Sequence, residues 1–445
     1  MYLSSFLKEL KETLAQVVKV VTSRAYRRQA FRDPLYANSF YLMLHTAVNS
    51  GLGFVFWLIV ARFSSPEDVG LGSALVSAAT LLAFVGTLGL HTGIVRFRPA
   101  SNRGASALIN SSFILSALAA AVAAVIFLVG LPVWSPALTF ILENPTFMSA
   151  FVIFVVGFTL LYLLQGAFIA FRRAGFVLVI GSIQSSLRII LVIPLAILSG
   201  TFAIFASWGI GLVVVLIIGL LFLLPRVLPE YHPLPSLKRR VTNEMLHFSI
   251  ANYVGDALWN VPIYLLPIIV LNLLGSQSSA YFYISWAIAT LLIAIPMAIS
   301  TSLFAEGSYR GDSLAYNVRR SLKMALILLL PAVAVILLVG DKILLLFGRE
   351  YAEHGTKLLW LLAISALPLS TNLIYVGIAR VRKRRRDIIL IFATVAIGTL
   401  ALSYLLLPHL GIFGVGVSWL ASHSLVALAL LPKFRTTLKE EVAVP

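Results

Sequence analysis

The 445-residue chain is 60% hydrophobic and only 11% charged, with a mean hydropathy of +0.98. A soluble domain carries about a quarter charged residues, so this composition excludes a soluble globular protein and indicates a polytopic membrane protein. The complete absence of cysteine excludes disulfides, thiol catalysis and Cys-based metal sites, and the net charge of +17 has to be explained by where the charges fall.

In chain order, residues 1–36 place Leu3, Phe6, Leu7, Leu10, Leu14, Val17, Val18 and Val21 at helical spacing with Lys and Glu between them. That pattern predicts a cytoplasmic amphipathic segment lying on the membrane face. Lys8, Glu9, Lys11 and Glu12 interrupt its apolar run, so no signal peptide is expected. Six apolar spans follow at about 37–61, 69–95, 105–131, 146–171, 174–198 and 202–224, which define an N-lobe over 37–224. Between the first two, Ser65-Pro66-Glu67-Asp68 reads as a helix start, with a Ser cap, Pro in the first turn and acids at the positive end of the dipole. Pro225, Pro229, Pro233 and Pro235 mark a cytoplasmic linker over 225–246. Six more spans at about 247–273, 279–304, 315–339, 355–379, 387–407 and 411–432 define a C-lobe over 247–432, and 433–445 is a cytoplasmic tail.

Twenty-nine of the 34 Lys and Arg fall on one side of this arrangement, four (Arg62, Lys342, Arg349, Lys357) on the other, and Arg188 inside a span. The positive-inside rule then puts both termini in the cytoplasm of a multi-pass protein of the cell (plasma or inner) membrane. The Arg380–Arg386 run RVRKRRR becomes an inner loop, and nucleic acid is not an expected partner. An offset of 211 residues superimposes the halves: Gly200, Phe202, Ser207 and Trp208 fall on Gly411, Phe413, Ser418 and Trp419, Gly166 on Gly377, Arg172-Arg173 on Lys383-Arg384, and Asn49 on Asn260. The expected fold is all-α, with twelve transmembrane helices in two six-helix lobes related by a parallel pseudo-two-fold repeat, and a substrate path between the lobes.

Two spans carry polar groups that an anchor does not need. The stretch Phe248–Asn272 contains Asp256, then Asn260 one turn later, then Pro262 and Pro267. The repeat pairs Asp256 with His45 and Pro262 with Gly51, so the first helix of each half has a titratable group, an Asn on the same face, and a breaker. Asp256, His45, Gly51 and Pro262 are therefore candidate gating or coupling residues, or, for the two titratable groups, an interhelical ion pair and a hydrogen-bonded interior histidine. Arg188, in GSIQSSLRIILVIP, is too deep to snorkel easily toward the basic side. It reads as an anionic headgroup site, gripping phosphate through paired N–H donors, or as a structural partner for Gln, Asp or carbonyls. Asn49, Asn260, Trp259 and Arg96 complete the candidate substrate-binding set. Arg96 has a topological alternative, and Trp259, like Trp57, Trp286, Tyr253 and Tyr264, suits either sugar stacking or the membrane interface. No Walker A sequence, H-E-x-x-H or G-x-S-x-G occurs, so no enzyme chemistry, metal or cofactor is expected.

FWLIVARFSSPEDVGLGSALVSAATLLAFVGTLGLHTGIVRF (Phe56–Phe97), ILLLFGREYAEHG (Ile343–Gly355) and LGIFGVGVSWL (Leu410–Leu420) resemble segments of the oligosaccharide-lipid flippases of the MOP exporter superfamily, the Wzx-type polysaccharide biosynthesis proteins. The resemblance implies two lobes around a central cavity open alternately to each side. It also implies a polyprenyl-(pyro)phosphate-linked oligosaccharide flipped from inner to outer leaflet for surface polysaccharide or glycan biosynthesis. Membrane lipids, and other polysaccharide-biosynthesis proteins, are the partners it suggests. The relatives' cationic cavity residues are matched here only by Arg188, on the fifth helix. The alternatives are a cation-coupled multidrug exporter of the same superfamily, a membrane glycosyltransferase or polymerase, and a non-transporting scaffold.

Overall fold

The structure, a computed structural model, describes residues 34–97, 102–196, 200–229, 231, 239–309 and 314–439. The expected amphipathic segment at the N-terminus, most of the linker's proline-rich part and the end of the tail lie outside the described residues. The described residues form thirteen α-helices and no strand. The first lobe contains α1 (Pro34–Phe63), α2 (Pro66–Gly86), α3 (Leu90–Arg96), α4 (Asn102–Trp134), α5 (Pro145–Ala170), α6 (Ala174–Ala196), α7 (Gly200–Ile218) and the short α8 (Leu224–Val227). The second contains α9 (Arg239–Tyr309), α10 (Leu314–Phe347), α11 (Arg349–Val381), α12 (Arg385–Leu410) and α13 (Ile412–Lys439). Eleven helical stretches are long and apolar enough to cross a membrane, so the chain is a multi-pass membrane protein.

The longest stretch, Tyr253–Gly307, has 55 residues. A straight helix of that length would measure about 80 Å against a hydrocarbon core of about 30 Å. It is not straight. Gly275 adopts φ 83°, ψ 176°, and the Ser279 hydroxyl donates to the Pro267 carbonyl at 3.3 Å. Residues twelve apart in one helix would lie about 18 Å from each other, so α9 doubles back at Gly275 into two arms.

Local chemistry explains the other ends. Ser65 caps α2 by accepting from the Asp68 N–H at 3.1 Å, with Pro66 next and Glu67 and Asp68 in the first turn, as the sequence reads. The expected span 69–95 is broken: Leu88 (φ 49°) and Gly89 (φ 72°) separate α2 from α3. Gly89 lies against the Ser249 carbonyl and Tyr253, where a side chain has no room.

Each lobe has its own apolar core. Leu75, Ile109, Phe151, Phe168 and Phe205 belong to the first and Phe282, Leu359, Tyr375 and Trp419 to the second. Phe56, Trp57 and Val60, toward the C-terminal end of α1, are buried in the second lobe's core. A second seam joins α2 and α3 to α9 through small residues that let backbones close up. A Cβ at Gly70 would overlap the Ser276 carbonyl, and Gly93 meets Ser249 and Met245. Tyr253 donates to the Phe84 carbonyl at 3.0 Å, with the two rings stacked at 4.9 Å.

Candidate functional site

A cavity of about 520 Å³ is lined by residues of both lobes. α1 contributes Asn49, Gly53 and Trp57, α2 Ser77 and Thr80, α6 Gln184, Ser185 and Arg188, and α9 Tyr264, Tyr283 and Trp286. Among the described residues Arg188 is the one charged side chain on its wall. Only 7% of it is exposed. Its guanidinium carbon sits 4.4 Å from the Trp208 ring centre and 5.3 Å from that of Phe56, and Gly53 leaves the space its Nη2 occupies. Its Nε has no hydrogen-bond partner, and among the described residues no carboxylate lies in ion-pair range of it. Desolvated cation–π contacts of this kind are worth about 2 kcal/mol. They hold the positive charge in place without neutralising it, as a carboxylate would.

The wall beside Arg188 is ordered by an amide. Asn49 Oδ1 accepts from the Ser185 hydroxyl at 2.6 Å, and its Nδ2 lies 3.0 Å from the His45 ring nitrogens. The i, i+4 spacing thus does bring His45 and Asn49 together, along an α1–α6 interface in which Asn38 accepts from the Ala174 N–H at 2.8 Å and Gly181 makes room for the His45 ring.

Contacts between the lobes gather at one end of the cavity, near the C-terminal end of α1. The Trp57 and Tyr283 rings meet with their centres 4.6 Å apart. Phe54 meets Phe347 edge-on at 5.2 Å. Arg62 donates to the carbonyls of Leu346 at 2.5 Å and Leu345 at 3.1 Å, the last turn of α10, where backbone acceptors lack helical partners. Deeper in, Tyr162 on α5 and Tyr264 on α9 both line the cavity.

The remaining candidates lie elsewhere. Asp256 is half-buried on the first arm of α9, with Arg380 the cation whose charge acts on it. Asn260 donates to the Asp256 backbone carbonyl at 2.8 Å rather than to the carboxylate. Trp259 packs on Phe392 at 5.4 Å. None of these three lines the cavity, nor does Pro262, although the neighbouring Ile263 and Tyr264 do. Arg96 is exposed at the end of α3. The helices run unbroken through Gly51 and Pro262. Tyr162, Trp208 and Tyr283 are cavity residues that sequence reasoning did not single out. Trp208 carried a signal, since it is one of the positions that the repeat aligns.

The fold is shared with solved transporters of the MOP superfamily. An inward-facing multidrug resistance MATE family transporter superposes with a TM-score of 0.70 at 14% identity, covering 90% of this chain and 99% of its own. The lipid II flippase MurJ, in an inward closed conformation, gives 0.70 at 15% identity over 89% of this chain and 90% of its own. A MOP superfamily transporter from Pyrococcus furiosus, described by the reverse polarity of its binding pocket, gives 0.60 at 15% identity over 93% and 97%. No curated protein matches the chain in sequence. The chain belongs to the polysaccharide biosynthesis protein family, whose profile matches residues 35–305.

Proposed function

We propose that the protein flips a polyprenyl-linked oligosaccharide, joined through phosphate or pyrophosphate, from the inner to the outer leaflet by alternating access, with both termini cytoplasmic. The observation that carries this reading is Arg188. It is a buried cation held between aromatic faces, with no carboxylate to neutralise it, on the wall of a cavity shared by both lobes. A guanidinium so held is suited to a phosphate arriving from outside the protein. The aromatic wall of Trp57, Tyr264, Tyr283 and Trp286 suits sugar faces. The family supports polysaccharide chemistry, and the fold it shares with MurJ, a lipid II flippase, supports a lipid-linked substrate.

We read the doubled-back α9 as two crossings, which gives twelve in all, and the conformation as closed at the outer end. Outward movement of about two negative charges down an inside-negative potential of 100 mV favours transport by roughly 4–5 kcal/mol, so the flip needs no coupled ion. Asp256 and His45 we assign to gating, because Asp256 has the wrong sign to hold phosphate and lies off the cavity wall.

The test is Arg188→Met in vesicles reconstituted with polyprenyl-pyrophosphate oligosaccharide. Loss of a charge-assisted phosphate contact is expected to slow flipping about 10- to 100-fold. Thermal stability should hold or rise, because an apolar isostere removes a desolvated charge. Unchanged flipping by the folded variant takes Arg188 out of the substrate site. The fold shared with the MATE transporter favours a second reading, drug export. Mass spectrometry of co-purifying lipids separates the two, since only the first expects a glycan on a polyprenyl phosphate.

A further inference from the structure

The turn between α11 and α12 repeats the backbone bonds that close the turn between α5 and α6. Arg172 and Lys383 both have left-handed backbones, at φ 56° and 55°. The Arg173 N–H donates to Phe168 and the Arg384 N–H to Ala379, each at 2.8 Å. The Arg172 N–H donates to Ile169 at 2.9 Å and the Lys383 N–H to Arg380 at 3.1 Å. Every one of these positions is 211 residues from its counterpart. Two basic residues, Arg172 and Arg173, are all that the first turn carries, yet the second carries six. Neither the turn geometry nor topology requires the surplus.

The surplus is also placed differently. In the first lobe the positions after the turn are packing positions: Ala174 is buried and bonded to Asn38, and Gly175 lies against the Tyr41 ring. In the second lobe the same positions are Arg385 and Arg386, both exposed. Asp387, the acid next in the chain, is already engaged by the Tyr375 hydroxyl at 2.9 Å and by Lys433 at 3.3 Å. Lys433 and the exposed Arg435 bring the end of α13 to the same patch.

We propose that this end of the second lobe is a binding site for anionic phospholipid headgroups. Depth selects the ligand. Only residues 382–384 lie between α11 and α12, so the cations sit where the spans leave the hydrocarbon. A loop that short cannot carry them out to a soluble partner, whereas lipid phosphates occupy that layer. Each cation at such a surface strengthens association with an anionic lipid about fivefold.

The test uses native mass spectrometry of purified full-length protein with equal amounts of phosphatidylglycerol and phosphatidylcholine. The variant R382Q/R385Q/R386Q leaves the aligned pair Lys383 and Arg384, and also Arg380, in place. It is expected to lose the phosphatidylglycerol preference that the wild type, R382K/R385K/R386K and R172Q/R173Q all keep. Should the glutamine variant not fold, the wild type decides, and its preference must fall as salt is raised. The proposal is overturned by a wild type without preference, by a preference insensitive to salt, by a folded glutamine variant that keeps it, or by equal loss in R172Q/R173Q.

Discussion

Arg188 and Asp256 were the two charges that the sequence set deep in apolar spans, and they have different surroundings. Arg188 is enclosed by Trp208 and Phe56 with its Nε unpartnered, so its charge is buried against rings. Asp256 is half-buried, off that wall, within the field of Arg380. A carboxylate that is neither fully buried nor hydrogen-bonded to the neighbouring Asn260 side chain is free to change partner when α9 moves. Asp256→Asn keeps the shape and removes the charge. If proton exchange at Asp256 gates the movement, the variant should flip substrate with a rate that no longer varies with pH, measured in vesicles clamped at a series of pH values. A rate and pH profile identical to wild type would end the gating role. That Arg188 stands out was legible from its depth alone. That its partners are rings, and not carboxylates or carbonyls, was not, because Trp208 lies on a different helix and Phe56 is 132 residues away.

At the scale of elements, glycine spacing sets which helices touch. Gly70 and Gly51 lie in neighbouring helices but have opposite surroundings. A Cβ at Gly70 would strike the Ser276 backbone, whereas one at Gly51 meets nothing within 4 Å. Gly70→Val should therefore force α2 and α9 apart and lower stability by about 1–3 kcal/mol, read as thermal unfolding in detergent. Gly51→Ala should instead raise stability by about 0.5–1 kcal/mol, since a helix interior favours Ala over Gly. If α1 bends at Gly51 during transport, the same variant should also slow flipping, which ties this glycine to movement and not to packing. A Gly70→Val protein as stable as wild type would mean that the seam is looser than its geometry. Apolar periodicity made the helices legible, and Ser65 and Pro66 made the start of α2 legible. The break at Leu88 and Gly89 was not, because a lone Gly in an apolar run becomes a breaker only when another helix, here at Ser249 and Tyr253, takes the space beside it.

At the scale of the whole molecule, the sequence offset of 211 predicted matching basic pairs, and those pairs close matching turns at Arg172 and Lys383. What an offset cannot convey is asymmetry. The first arm of α9 leans on α2, while α1 lies along α6 and buries its C-terminal end in the second lobe's core. The route to the cavity therefore depends on contacts at one end of α1, and on the proposed alternating access those contacts part when the outer side opens. The ring pair Phe54 and Phe347 offers a direct test, because the chain has no cysteine and an introduced pair is the only thiol present. Phe54→Cys/Phe347→Cys joined by a short bis-thiol reagent should hold the outer end shut and stop flipping, with activity returning when a cleavable reagent is reduced. Each single variant, treated identically, should flip at close to its untreated rate. Flipping that continues with the pair fully joined would show that the lobes do not separate at this point, and the outer gate would then have to lie away from α1 and α10.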